Sequence, residues 1–132
     1  MRIIVAGGRD FDDYESLAQK CADMIKYIYE NPSLFGWVFH KDIEFVLGGA
    51  KGADSLGLKF AKENLYEYKI MNEDWDTHGK SAGYIRNEQM AKYAIEDNNA
   101  ILLAFWDGVS KGTSHMIDLA KKHGLIVWLV RY

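Results

Sequence analysis

Cysteine and proline are nearly absent from this chain of 132 residues, which has one of each. A lone Cys21 excludes an internal disulfide and a thiolate zinc cluster, and fits a reducing, intracellular compartment. One proline and 12 glycines exclude collagen-like and proline-rich disordered chains. Charge of one sign is also lacking. A net charge of −3 argues against a module built to grip a nucleic-acid backbone, which needs many clustered Lys and Arg. No apolar run approaches the roughly 20 residues that span a bilayer. The first such run, Ile3 to Ala6, is too short for a signal-peptide core and stops at Gly7. A cytoplasmic location without membrane contact is therefore expected.

What is present is the material of one globular domain over residues 1–132, with 48% hydrophobic and 27% charged residues. Five short apolar runs predict strands: Ile3–Ala6, Phe45–Leu47, Lys69–Met71, Ile101–Phe105 and Ile126–Val130. The first, fourth and fifth are continuous rather than alternating, the pattern of strands covered on both faces. Helical periodicity falls between them. Tyr14–Glu30 repeats Leu17, Cys21, Met24, Ile25 and Ile28 on one face and stops at Asn31-Pro32. Asp54–Asn64, Ser81–Ile95 with Ser81 as N-cap, and Thr113–His123 closed by Gly124 complete the set. The alternation predicts an α/β, Rossmann-like three-layer sandwich with a mostly parallel five-stranded sheet. Between helix and strand, Pro32–Lys41 carries Phe35, Trp37 and Phe39, an expected contact in a homo-oligomer.

Glycines concentrate directly after predicted strands. Gly7-Gly8-Arg9-Asp10 follows the first, and Gly48-Gly49-Ala50-Lys51-Gly52-Ala53-Asp54 the second. Trp106, Asp107 and Gly108 follow the fourth and lead to Ser110, Lys111, Gly112 and Thr113. In open α/β sheets ligands bind at the carboxyl ends of the strands. There glycine permits close backbone approach, and helix N-termini offer free N–H donors to anions. Three such turns on one edge predict a phosphate or nucleotide cradle. Backbone N–H groups at 7–9, 49–53 and 112–113 are its expected donors, and Asp54 its acceptor for a ribose hydroxyl. The segment from Asp74 to Asn87 adds Trp75, placed to stack on a base, and Arg86, placed to pair with a phosphate; Trp106 is a second candidate to cover a base.

Other chemistries find no support. Gly79-Lys80-Ser81 lacks the leading glycine of a P-loop, since Asp74 stands there, and the first glycine pair lacks the G-x-G-x-x-G spacing. His40, His78, His115 and His123 fall in no metal-ligand spacing, so neither a metal nor a cofactor is expected.

Taken together, Gly7-Gly8-Arg9-Asp10-Phe11, Gly48 to Asp54, Asp74-Trp75, Ala82-Gly83 with Arg86-Asn87, and Gly112-Thr113 resemble the YspA-type branch of the SLOG superfamily, named for its Smf/DprA and LOG families. The resemblance spans nearly the whole chain in order. It implies a Rossmann-like fold and a nucleotide-type ligand, bound by a sensor, sponge or processing domain. LOG-type members are phosphoribohydrolases that use an Arg-bearing helix and a later Gly-Thr-x-x-Glu step, whereas DprA members bind single-stranded DNA. Here the Glu position falls on Met116, which can serve neither as acid nor as base. A hydrolytic alternative therefore rests on Arg86 with Asp54 or Asp10 as the carboxylate. The usual proline before the Arg-Asn step is replaced by Tyr84-Ile85.

Overall fold

The computed structural model describes residues 1–97 and 99–132. Five strands, β1 (Arg2–Gly7), β2 (Glu44–Leu47), β3 (Glu67–Ile70), β4 (Ala100–Trp106) and β5 (Ile126–Arg131), form one sheet in the order β3-β2-β1-β4-β5. Every pairing is parallel, so the sheet is wholly parallel rather than mostly so. Helices α1 (Tyr14–Glu30), α2 (Pro32–Phe35), α3 (Ala53–Glu63), α4 (Trp75–His78), α5 (Ala82–Ile95) and α6 (Lys111–Lys122) make the crossovers and flanks. No described helix is long and apolar enough to cross a membrane.

The continuous apolar runs of β1 and β4 reflect cover on both faces. Alternate side chains point to opposite sides of a strand. Ile3 and Val5 of β1, with Ile101, Leu103 and Phe105 of β4, pack under α1 and α3 against Leu17, Met24, Ile28 and Phe60. Ile4 and Ala6, with Leu102 and Ala104, pack on the other side against Met90, Ala94, Met116 and Ala120 of α5 and α6. The result is a three-layer sandwich with β1 at its centre.

Several expected boundaries move. The third strand begins at Glu67 and ends at Ile70, not Lys69–Met71, because its register is set by β2, with Glu44 opposite Glu67 and Leu47 opposite Ile70. All four of its residues are exposed, so no burial pattern marked it in the sequence. The fifth run is a strand but is not covered on both faces: β5 is the other edge, and Ile126 and Leu129 stay 45% and 44% exposed. The helices expected at Asp54 and Thr113 begin earlier, at Ala53 and Lys111. Ser81 makes no side-chain cap; it sits in a 3-10 turn, Gly79–Ser81, that joins α4 to α5. The cap in this region is Asp74, whose Oδ1 accepts from Thr77 N at 3.1 Å at the start of α4. In the aromatic stretch Phe35 is buried, edge-on to Tyr27, so it is not available to a partner surface; Trp37 and Phe39 are exposed.

Candidate functional site

The chain runs outward from β1 to β2 and β3, then returns across the sheet to β4 and β5 on the other side. That reversal lies between β1 and β4, and a crevice opens beyond their carboxyl ends, where this topology places ligands. A cleft of about 560 Å3 occupies it.

The glycine turns build the cleft, partly by holding each other. Gly52 has φ +77°, and a Cβ there would lie 2.2 Å from the Gly8 carbonyl oxygen, so the turn after β2 rests directly on the turn after β1. Ala53 N donates to Gly8 O at 3.2 Å, and Gly8 N donates to Phe105 O at 3.1 Å. Ala50 N donates to Asp54 Oδ2 at 3.2 Å. The N–H groups of Gly8, Ala50 and Ala53, expected to hold an anion, are therefore engaged within the protein. Gly52→Ala meets both a left-handed backbone and a carbonyl that cannot yield. It is expected to lower the unfolding free energy by about 2 kcal/mol or more, read from the shift of a urea transition.

A buried charged cluster lies on the β2 side. The Arg86 guanidinium donates from Nη1 to Gly48 O, from Nε to Asn87 Oδ1 at 3.2 Å and from Nη2 to Glu73 Oε1 at 3.0 Å. Its side chain is 11% exposed and that of Glu73 10%. Arg9 reaches the same Glu73 oxygen at 3.4 Å but is 69% exposed. A Cβ on Gly48 would stand 2.5 Å from Arg86 Nη1 and 2.7 Å from Asp54 Oδ2, so the bare Cα is what lets both side chains converge there. Asp54 is 6% exposed. Burial is the main influence on its carboxyl and pushes it up to about 6, with the nearby Glu73 adding to the rise. The Ala50 N–H and the Arg86 and Arg9 guanidiniums pull the other way. No buried side-chain oxygen among the described residues lacks a partner. Asp54 Oδ1 accepts from none of them, so it opens to the cleft.

The β4 side supplies unpaired backbone donors. Asp107 Oδ1 accepts from Val109 N and Ser110 N, both at 2.8 Å; these two bonds hold its carboxyl below the usual carboxylate range. The turn they fix delivers the chain into α6. Ser114 N donates to Ser110 O, so the N–H groups of Lys111, Gly112 and Thr113 precede the helical ladder, and no described residue accepts from them. Buried Asn87 spans from α5 to this point, donating from Nδ2 to Gly112 O at 3.3 Å and lying 3.2 Å from His115 Nδ1. Thr113 is buried, and its hydroxyl accepts from Ser110 Oγ at 3.3 Å.

Of the residues expected in the site, Gly7, Gly8, Arg9, Asp10, Asp54, Trp75, Arg86, Asn87, Ser110, Gly112 and Thr113 line the one cleft. Trp75 stands at its rim, 56% exposed. Asp10 is tied by the Tyr132 hydroxyl, which donates to Oδ1 at 2.7 Å. Gly48, Gly49 and Lys51 border an adjoining hollow that shares Arg9, Ala50, Glu73 and Trp75 with the cleft. Gly52 and Ala53 line neither, being spent on contact between the turns. Trp106 also lies outside the cleft, with its indole N–H donating to Ser110 O at 3.0 Å. Sequence reasoning missed Glu73, Lys80 and Tyr84, all in the lining. Glu73 follows the end of β3 by three residues, and with that strand exposed throughout, no local pattern singled it out. Buried Met116 lines the cleft at the position where LOG-type members carry Glu. No group of three or more His, Cys, Asp or Glu among the described residues could hold a metal ion.

No family model matches the chain, and no solved structure matches it. It is 31% identical over 131 residues to the Gene 61 protein of Mycobacterium phage D29, across 96% of this chain and 93% of that one.

Proposed function

The chain belongs to the family of the Gene 61 protein of Mycobacterium phage D29, and from the chemistry of its cleft we propose that it binds a nucleotide or a nucleotide-derived signal, as a sensor, sponge or processing domain. The observation that carries this reading is that the α6 N–H groups and the open Asp54 oxygen line one cleft at the strand-order reversal. The unpaired amides of Gly112 and Thr113 suit a phosphate. Arg9 and Lys80, both exposed at the rim, attract it. Asp54 Oδ1 suits a ribose hydroxyl, and Trp75 is placed to cover a base. Arg86 contributes positive charge from the cleft wall, where three of its five N–H donors bond Gly48, Glu73 and Asn87 and hold it in place. The volume is in the usual range for small-ligand sites, roughly 300–1,000 Å3. Membership of the YspA-type SLOG branch is part of this proposal and is supported by the same motifs converging on one rim. A DprA-like role fits less well, because Asp10, Asp54, Glu73 and Asp107 face the same cleft.

One observation favours a second reading, cleavage of the bound nucleotide. A cleft carboxyl poised near 6 suits proton transfer close to neutral pH. Both readings are tested by thermal unfolding against a panel of mono-, di-, cyclic and ADP-ribose-type nucleotides, followed by chromatography of the best binder after long incubation. A ligand at a hundred times its Kd adds about 2.7 kcal/mol, so a rise of several degrees in Tm is expected. No shift with any member contradicts the binding reading. A ligand returned unchanged removes cleavage alone.

A further inference from the structure

Beside the cleft lies a second, more open recess of about 660 Å3. Tyr84 lines both hollows, and the turn after β4 divides them: Ser110 and Gly112 border the cleft, while Val109 and Lys111 border the recess. The N-terminus of α6 thus stands at the junction, and a group seated on its amides has a hollow on either side. The recess gathers aromatic rings. Tyr84 is 49% exposed and meets the His115 ring edge-on at 4.5 Å between centroids. That ring is held through Nδ1 by Asn87, the residue that also bonds Gly112 O. Trp106, which fails to reach the cleft, borders the recess. Tyr84, Trp106 and His115 gather here beside Lys111 and Asp118, whereas the cleft sets Trp75 and Tyr84 among carboxylates and guanidiniums. Aromatic rings favour stacking with flat heterocycles.

Resting on the nucleotide reading above, the geometry points to a ligand with two heterocycles joined through phosphate. The phosphate sits on the α6 amides, one ring lies in the cleft by Trp75, and the second lies in the recess against Tyr84. Stacking a base on an aromatic side chain strengthens binding by roughly tenfold or more.

Isothermal titration calorimetry on the full chain tests this with ADP, GDP, ADP-ribose, the diadenosine and diguanosine diphosphates and the nicotinamide–adenine dinucleotide. ADP-ribose carries the diphosphate and both riboses but only one ring. The expected result is that a two-ring compound binds roughly tenfold or more tightly than its one-ring counterpart. Ser114→Phe fills the recess from α6, and Val109→Trp fills it from the turn. Either is expected to bring that ratio to about one (the loss of the single stacked ring) while leaving the affinity for ADP or GDP in place. Equal or weaker binding of every two-ring compound overturns the proposal, as does an equal loss of one-ring and two-ring binding in both variants. If no nucleotide binds at all, the nucleotide reading itself falls, and this inference with it.

Discussion

Arg86→Ala is expected to lower the unfolding free energy by about 3–5 kcal/mol, the range for removing one partner of a buried ion pair. The loss comes less from the missing attraction than from what stays behind. Glu73 is left with a side chain 10% exposed and only Arg9, itself 69% exposed, in reach. Gly48 O and Asn87 Oδ1 lose their donors at the same time. Urea denaturation at neutral pH measures the effect as a shift in midpoint. Removing both charges as Glu73→Leu with Arg86→Met is expected to cost much less than the single change, because no carboxylate is then stranded. A loss below about 1 kcal/mol for Arg86→Ala, the scale of exposed pairs, would mean the pair is solvated.

Asp54→Asn is expected to stabilise the protein above neutrality and to weaken its ligand. The Asp54 carboxyl is raised from 3.8 to about 6 by burial, so the folded state holds its proton more tightly than the unfolded chain does. The stability this contributes is fully present below about pH 3.8 and is lost as pH rises through about 6. By pH 8 the ionised carboxyl costs on the order of 3 kcal/mol relative to its protonated form. Asparagine keeps the shape and an acceptor for the Ala50 N–H but carries no charge. The variant is therefore expected to match the parent near pH 4 and to exceed it by roughly 1–3 kcal/mol at pH 8. Denaturation curves at the two pH values check both halves. A variant less stable at pH 8 than the parent would show that Arg86 and Arg9 outweigh burial. A residue that costs stability yet stays in the cleft is one expected of function rather than folding.

The legible parts of this fold were those where burial dictates sequence. β1 and β4 announce themselves because Ile3 to Val5 and Ile101 to Phe105 must be apolar on both faces. β3 does not, because Glu67, Tyr68, Lys69 and Ile70 are all exposed and their strand identity comes from pairing with β2. The cleft was legible through its glycines, though the purpose of some differed from expectation. Gly52 lets two turns touch, and Gly48 makes room for Arg86 and Asp54. Which N–H groups stay open depends on contacts between turns distant in sequence, such as Ala53 N to Gly8 O, and no local pattern encodes those. Phe105 packs under α1 and α3, so Trp106 turns toward α5 and α6, the side that holds the cleft as well; its indole N–H is held by Ser110 O, a contact that strand parity does not encode.

In the proposed function, open amides at the start of α6 receive an anionic ligand between β1 and β4. Backbone NMR during titration with the nucleotide that most raises Tm tests it most directly. The account predicts the largest amide shifts at Gly112 and Thr113, smaller ones at Arg9 and Asp10, and little change at Gly49 or along Trp37 to Phe39. Saturable shifts confined to residues away from the cleft, with Gly112 and Thr113 unmoved, would contradict it.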